Sequence, residues 1–180
     1  MKMIVACDEN FGIGYKGNLL VRIPEDMKRF KELTMNDIVV MGRKTLESLP
    51  KGYLPNRYNV VISRDPLSHN QNLTVISNYQ KIYNDSNGVI WCSDIDTVIK
   101  SYVNNKFCNK NVWVIGGGEI YKQLLPYCDT IFLTKFKLYK NYDVDTYIDD
   151  PLKMGFNNMV EVSDIYKTDD YEYCFYKFSK

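Results

Sequence analysis

The 180-residue sequence predicts one α/β domain spanning residues 1–180. Its centre is a mixed, mostly parallel eight-stranded sheet flanked by about four helices, with an antiparallel C-terminal strand. Three observations lead there. Apolar runs alternate with amphipathic helical stretches through most of the chain. The runs Ile38-Val39-Val40-Met41 and Val112-Trp113-Val114-Ile115 are continuously apolar, which suits strands covered on both faces. The last third carries strand-like segments with no obvious helix between them, which suits an antiparallel pair at a sheet end.

Met3–Cys7 reads as the first strand and Pro24–Thr34 as the first helix. Proline suits a first helical position. With successive residues about 100° apart, Ile23, Met27, Phe30 and Leu33 share one arc. Glu25, Lys28, Arg29 and Glu32 fall opposite them. Asp26 departs from this pattern by landing between Leu33 and Phe30. A first-turn acid complements the helix dipole, but Glu25 could do that facing outward. A carboxylate turned toward the core is costly unless paired, so Asp26 asks for a partner, with a ligand among the candidates.

Ile38–Met41 reads as a strand running through Gly42 into a helix at Arg43–Leu49. Strands follow at Tyr58–Ser63, Leu73–Ser77 and Val89–Cys92, then a helix at Ile95–Asn104 with Asp94 as cap. Strand Val112–Ile115 enters Gly116, Gly117 and Gly118, and the helix Glu119–Leu125 is stopped by Pro126. Ile131–Phe136 and Tyr171–Phe178 are the closing strands. The acid-rich segment Tyr139–Asp150 lacks the glycine and closing glutamate of an EF-hand, so it reads as a surface loop and no metal is expected.

Net charge is +1 with no long basic run, so nucleic acid is not an expected partner. No signal peptide or membrane span is evident. The five cysteines are scattered without C-x-x-C spacing, which points to reduced thiols and a cytoplasmic location. His69 is the single histidine and lies in a polar stretch; it reads as a solvated loop residue, which excludes histidine triads. A monomer is expected.

Three strand ends carry phosphate-binding chemistry. Gly116–Gly118 opens a helix after a strand, where glycines admit a ligand to the backbone and free amides attract anions. The spacing is not G-x-G-x-x-G, which argues against a standard Rossmann fingerprint. Gly42-Arg43-Lys44-Thr45 repeats the geometry with two cations and a hydroxyl, and Ser63-Arg64 follows another strand. Alone, each basic pair reads as solvated surface. Together they suggest a large ligand with several phosphates along the carboxyl edge of the sheet.

These residues resemble the dihydrofolate reductase family, bacterial type. The landmarks are Ile4-Val5-Ala6, Ile13-Gly14, Asn18-Leu19, Ile23 through Lys31, Met41 through Thr45, Leu54-Pro55-x-Arg57, Ile62-Ser63-Arg64, Ile115-Gly116-Gly117-Gly118-x-Ile120-Tyr121 and Leu133-Thr134. They occur in family order over essentially the whole chain. The resemblance implies a dihydrofolate reductase-like fold and NADPH-dependent reduction of 7,8-dihydrofolate to tetrahydrofolate. Hydride would pass to pterin C6 and a proton to N5, serving one-carbon metabolism.

It further implies Asp26 as the acid that orients the pterin and Thr134 as its support. Substrate would contact Ile4, Val5, Ala6, Met27, Phe30, Lys31, Leu49, Leu54, Ile115 and Tyr121, with Arg57 clamping the folate carboxylate. NADPH would contact Ala6, Ile13, Gly14, Asn18, Leu19, Gly42, Arg43, Lys44, Thr45, Ser63, Arg64 and Ser77. Gly116, Gly117, Gly118, Glu119, Ile120 and Tyr121 would complete that cofactor site. Dihydrofolate and antifolate inhibitors are the implied small-molecule partners.

The sequence departs from the family at Leu20-Val21, where Pro-Trp is usual. Valine cannot donate a hydrogen bond, so proton delivery is the step placed in question. Two rivals remain: a related NADPH reductase of another pterin or pyrimidine, which would generally lack the Asp26 acid and the Arg57 clamp, and a non-catalytic folate- or nucleotide-binding protein.

Overall fold

A computed structural model describes residues 1–69, 74–77, 82–104 and 110–180. Leu73 and Cys108 lie outside these, as do the side chains of His69 and Ser77. The chain order is β1 (Lys2–Cys7), β2 (Gly12–Tyr15), β3 (Asn18–Leu19), α1 (Pro24–Thr34), β4 (Ile38–Gly42), α2 (Arg43–Ser48), β5 (Tyr58–Ile62), α3 (Pro66–His69), β6 (Thr74–Ser77) and β7 (Ile82–Asn84). Then come β8 (Ile90–Cys92), α4 (Ile95–Val103), β9 (Val112–Gly116), α5 (Gly118–Leu124), a 3₁₀ turn (Leu125–Tyr127), β10 (Thr130–Leu138), β11 (Thr146–Tyr147), β12 (Asn158–Val162), β13 (Tyr166–Lys167) and β14 (Tyr171–Ser179).

The main sheet runs β12-β14-β10-β1-β9-β4-β5-β8-β7-β6, with β13 also on β14, giving eleven strands. Its centre, β10 through β8, is parallel, and both edges are antiparallel. Each of the eight expected strands is present. Of the additions β7, β12 and β13, β7 and β13 are short, and every residue of β12 and β13 is exposed, so no buried face marks those two in the sequence. A second, three-stranded sheet, β11-β2-β3, joins the segment after β1 to the polar loop after β10.

The centre of the sheet is covered on both faces. One face carries Met3, Val5, Cys7, Val40, Val114, Tyr121, Leu124 and Ile131; the other carries Ile4, Val39, Met41, Val61, Trp113 and Phe132. Asp94 caps α4 as expected, accepting from Thr97 N at 2.7 Å. Pro126 falls inside the 3₁₀ turn, two residues beyond the end of α5. His69 closes the four-residue helix α3 instead of lying in a loop. No disulfide joins the four described cysteines, and burial pushes the thiols of Cys7, Cys92 and Cys128 up to about 12.

Among the described residues no helix is long and apolar enough to cross a membrane.

Candidate active site

Helix α1 brings Asp26 onto β10. Thr134 Oγ1 donates to Asp26 Oδ1 at 2.5 Å, while Oδ2 makes no hydrogen bond among the described residues. Burial pushes the Asp26 carboxyl up from its ordinary value, against the opposing pulls of the Thr134 bond and the Arg29 charge. Thr134 is buried and pairs in register with Ala6 on β1 and Phe175 on β14.

The seating of α1 corrects the sequence reading in two places. Arg29, expected to face solvent, is partly buried over the Phe175 and Phe132 rings, at 4.6 and 5.6 Å. Met27, expected in the core arc, is 47% exposed. One rotation explains both. The contact face is centred on Asp26 and Leu33, so Arg29 lies about 60° to one side of Asp26 and Met27 about 100° to the other.

Ile4, Phe30, Leu49, Leu54 and Ile115 meet in one apolar cluster on the α1 side of the sheet. Val5, expected with them, does not join it: alternation along β1 sends its side chain to the opposite core beside Cys7 and Tyr121. Tyr121 reaches back by donating to Ile4 O at 2.8 Å. Ala6, Leu20, Val21 and Phe175 all pack against a buried cluster of Ile23, Phe136 and Tyr173, so the two unusual residues of the loop border the same core as Ala6. Lys31 is exposed in the last turn of α1.

Arg57 is pinned by two of its N–H groups. Its Nε donates to Thr34 Oγ1 at 3.3 Å and its Nη1 to Pro55 O at 2.5 Å. Thr34 in turn donates to Phe30 O at 2.7 Å, which ties the arginine to the far end of α1. Sequence reasoning missed Asn59, which shapes this corner. Buried in β5, it accepts from Leu54 N at 2.9 Å and donates to Leu54 O at 2.9 Å and Arg57 O at 3.1 Å. The available signal was an amide inside the apolar run Tyr58-Asn59-Val60-Val61-Ile62.

The three phosphate-type strand ends converge. In register, Met41 pairs with Gly116 and Gly42 with Ile62, so the turns after β9, β4 and β5 open side by side. Neither α2 nor α5 has a side-chain cap at its N-terminus. Three of these glycines are tightly packed: a Cβ on Gly118 would lie 3.1 Å from Thr146 Cγ2 and from Tyr147 O. One on Gly42 would meet Ile120 Cγ1 at 3.1 Å, and one on Gly116, at φ +117°, would meet the Tyr121 ring. Thr45 Oγ1 lies 3.4 Å from where a Gly117 Cβ would stand, so two of the turns touch. Ser63 is buried, Lys44 and Arg64 are exposed, and Arg43 is bound to Glu47 at 2.6 Å.

Ile13 is buried, and Asn18 and Leu19 are exposed on β3. Gly14 leaves no room for a side chain, because its Cβ would lie 2.8 Å from Asn18 O. This loop is tied to the segment after β10. Tyr142 OH donates to buried Asp8 at 2.9 Å, and Lys16 N donates to Asp145 Oδ2 at 2.8 Å. Glu119 is exposed and accepts from Gln123; Ile120 is buried.

The profile of the dihydrofolate reductase family matches residues 1–180. The chain is 34% identical over 167 residues to dihydrofolate reductase type 9 of Escherichia coli, covering 92% of this chain and 85% of that one. It is 34% identical over 162 residues to the dihydrofolate reductase of Saccharomyces cerevisiae, covering 81% and 71%. It is also 34% identical over 160 residues to the bifunctional dihydrofolate reductase-thymidylate synthase of Daucus carota, of which it spans 28%.

Proposed function

The chain belongs to the dihydrofolate reductase family, and from that premise we propose that it reduces 7,8-dihydrofolate to tetrahydrofolate with NADPH. The observation that carries the proposal is the Asp26 carboxylate. It is partly buried on a helix face that meets the sheet, fixed through Oδ1 by Thr134, and its Oδ2 has no partner among the described residues. Such a group matches a ligand that offers two adjacent N–H donors, as the pterin does at its 2-amino group and N3.

Burial keeps the Asp26 proton affinity above that of an exposed aspartate. The group therefore holds a proton further toward neutrality, which favours protonation of a bound pterin through water. The Ile4, Phe30, Leu49, Leu54 and Ile115 cluster supplies apolar walls for flat rings, and exposed Met27 is open to contact from its flank. Arg57 keeps unused N–H donors in a planar fork suited to the glutamate carboxylate of folate.

The residues fit NADPH. The turns at Gly42 and Gly116–Gly118 are closely packed around their glycines and present uncapped amides. Arg43, Lys44 and Thr45 open α2 directly after β4, and Ser63 and Arg64 follow the neighbouring parallel strand β5, a donor set for a pyrophosphate and a ribose 2′-phosphate. When bound, NADPH supplies the hydride. Tyr121 and the Gly116–Gly118 turn hold that end of the site, while Ala6 and the β2–β3 segment border it.

The test is NADPH oxidation on adding dihydrofolate, with Asp26→Asn as the control. Wild type should turn over and the variant should lose most of its rate. Tight NADPH binding without oxidation by the wild type would remove the reductase reading, and full activity in Asp26→Asn would remove the role of the acid.

A further inference from the structure

We propose that Arg29 is a positioning residue: clamped on two aromatic rings, it fixes the seating of α1 on the sheet and supplies a positive field at Asp26. The inference deepens the reductase reading and rests on it for its kinetic arm only.

The geometry starts with three side chains on one sheet face. Phe132 and Thr134 alternate along β10 to the same face, and Phe175 is the in-register neighbour of Thr134 on β14. Helix α1 lies across them. Asp26 bonds Thr134, and one turn later Arg29 covers Phe175 at 4.6 Å and Phe132 at 5.6 Å. The stacking holds the guanidinium in place without using its charge in a close ion pair. That charge is left to act on the carboxylate three residues away, on the same helix face.

Three other charged groups stand near this centre, and Glu25, the first of them, is engaged with Tyr173, whose ring packs against Phe175 at 5.4 Å. Lys177 on β14 stands 5.5 Å from the Phe132 ring and is bound to Glu161 of β12 at 2.9 Å. Glu161 also acts electrostatically on Arg29, as Asp26 does. Charges of alternating sign thus run from α1 to the sheet edge: Asp26 negative and Arg29 positive on the helix, Glu161 negative and Lys177 positive on β12 and β14. From the α5 side, the Tyr121 hydroxyl, held neutral by burial and by the Asp26 charge, is committed to Ile4 O. Glu161 and Lys177 largely cancel each other, so Arg29 is the cation left to favour the ionised form of Asp26.

A purely structural arginine would serve through its stem and stacking alone. Replacement separates the two roles. In R29M, and in R29Q as a second neutral variant, the carboxyl carbon of Asp26 should titrate at higher pH than in wild type. This is read by NMR on ligand-free protein labelled with ¹³C-aspartate and assigned with D26N. R29K, which keeps the charge, should titrate near wild type. In NADPH oxidation with dihydrofolate, each rate is normalised to its own acidic plateau. The neutral variants should then run roughly threefold faster than wild type on the falling alkaline limb, about half a pH unit of displacement.

A neutral variant with an unmoved titration overturns the proposal, and so does an R29K titration displaced as far as R29M. The titration needs no substrate, so it stands apart from the reductase reading, which fails only if wild type does not oxidise NADPH.

Discussion

Replacing Asp26 with asparagine should stabilise the folded protein near neutral pH while removing its chemistry. The amide has the shape of the carboxyl and still accepts from Thr134 Oγ1. It does not bring a charge into a partly buried setting. Burying a polar group without full compensation costs about 1–3 kcal/mol in proteins. Against that gain stands the lost attraction between Asp26 and Arg29, about 0.5 kcal/mol for a pair on one helix. The net gain is on the order of 1 kcal/mol, and at this chain length it appears as a rise in Tm of about 2–4 °C. The pH dependence identifies the cause. The Asp26 pKa is raised on folding from 3.8, so between the unfolded and folded values the folded chain binds the extra proton. Stability of the wild type therefore falls as pH rises through that window. The variant carries no such loss, so its advantage should be present at pH 7.5 and shrink as pH approaches 4. Urea unfolding at several pH values measures it. A D26N protein less stable than wild type at pH 7.5, or an advantage that does not vary with pH, would refute the argument that burial dominates at this carboxylate.

Thr134→Val should raise the proton affinity of Asp26, because the hydroxyl stabilises the ionised form; the alkaline limb of the rate profile should move to higher pH. Asn59→Ala leaves backbone groups of Leu54 and Arg57 without partners, so we expect a stability loss of about 1–3 kcal/mol and a KM for dihydrofolate raised more than kcat is lowered. Gly118→Ala forces a methyl against Tyr147 O and Thr146; NADPH affinity by fluorescence titration should fall at least severalfold, with dihydrofolate affinity much less affected. Val21→Trp replaces a valine packed among Ile23, Phe136 and Tyr173 with a side chain that can donate a hydrogen bond. It should change the pH profile of hydride transfer more than it changes NADPH binding, and an unchanged profile would remove that role from the position.

The elements that position the site were legible where one strong local signal decided them. Pro24 fixes the start of α1, and the observed span matches the expected one. Continuous apolar runs marked the parallel centre because both of its faces are covered. The seating of α1 was not legible. The 100° periodicity gives an arc of apolar residues, but aromatic rings on β10 and β14 attract Arg29, and those rings are far away in sequence. Alternation along β1 sends the Val5 side chain to the core opposite Ile4, a separation that a list of substrate contacts taken from the resemblance does not express. The β2–β3–β11 sheet was missed because its pairing joins short segments more than 120 residues apart in the chain, with no apolar pattern to connect them. Asn59 stands out as an amide inside an apolar run, but its three partners are backbone groups of Leu54 and Arg57, which the run itself does not identify.

Arg57 bonds Thr34, and Thr34 stands on the same helix as Asp26. Eight residues at 1.5 Å each separate those positions, a span of about 12 Å. The helix is therefore a ruler whose two marks are an acid and a fork of cationic donors. Under the binding roles proposed for Asp26 and Arg57, a ligand that engages only one mark forgoes the other, so selection by length would follow from the rigidity of α1. Adding a single residue between Asp26 and Thr34 would lengthen the ruler by only about 1.5 Å but turn one mark about 100° away from the other, so the measure is set by helical phase as much as by distance.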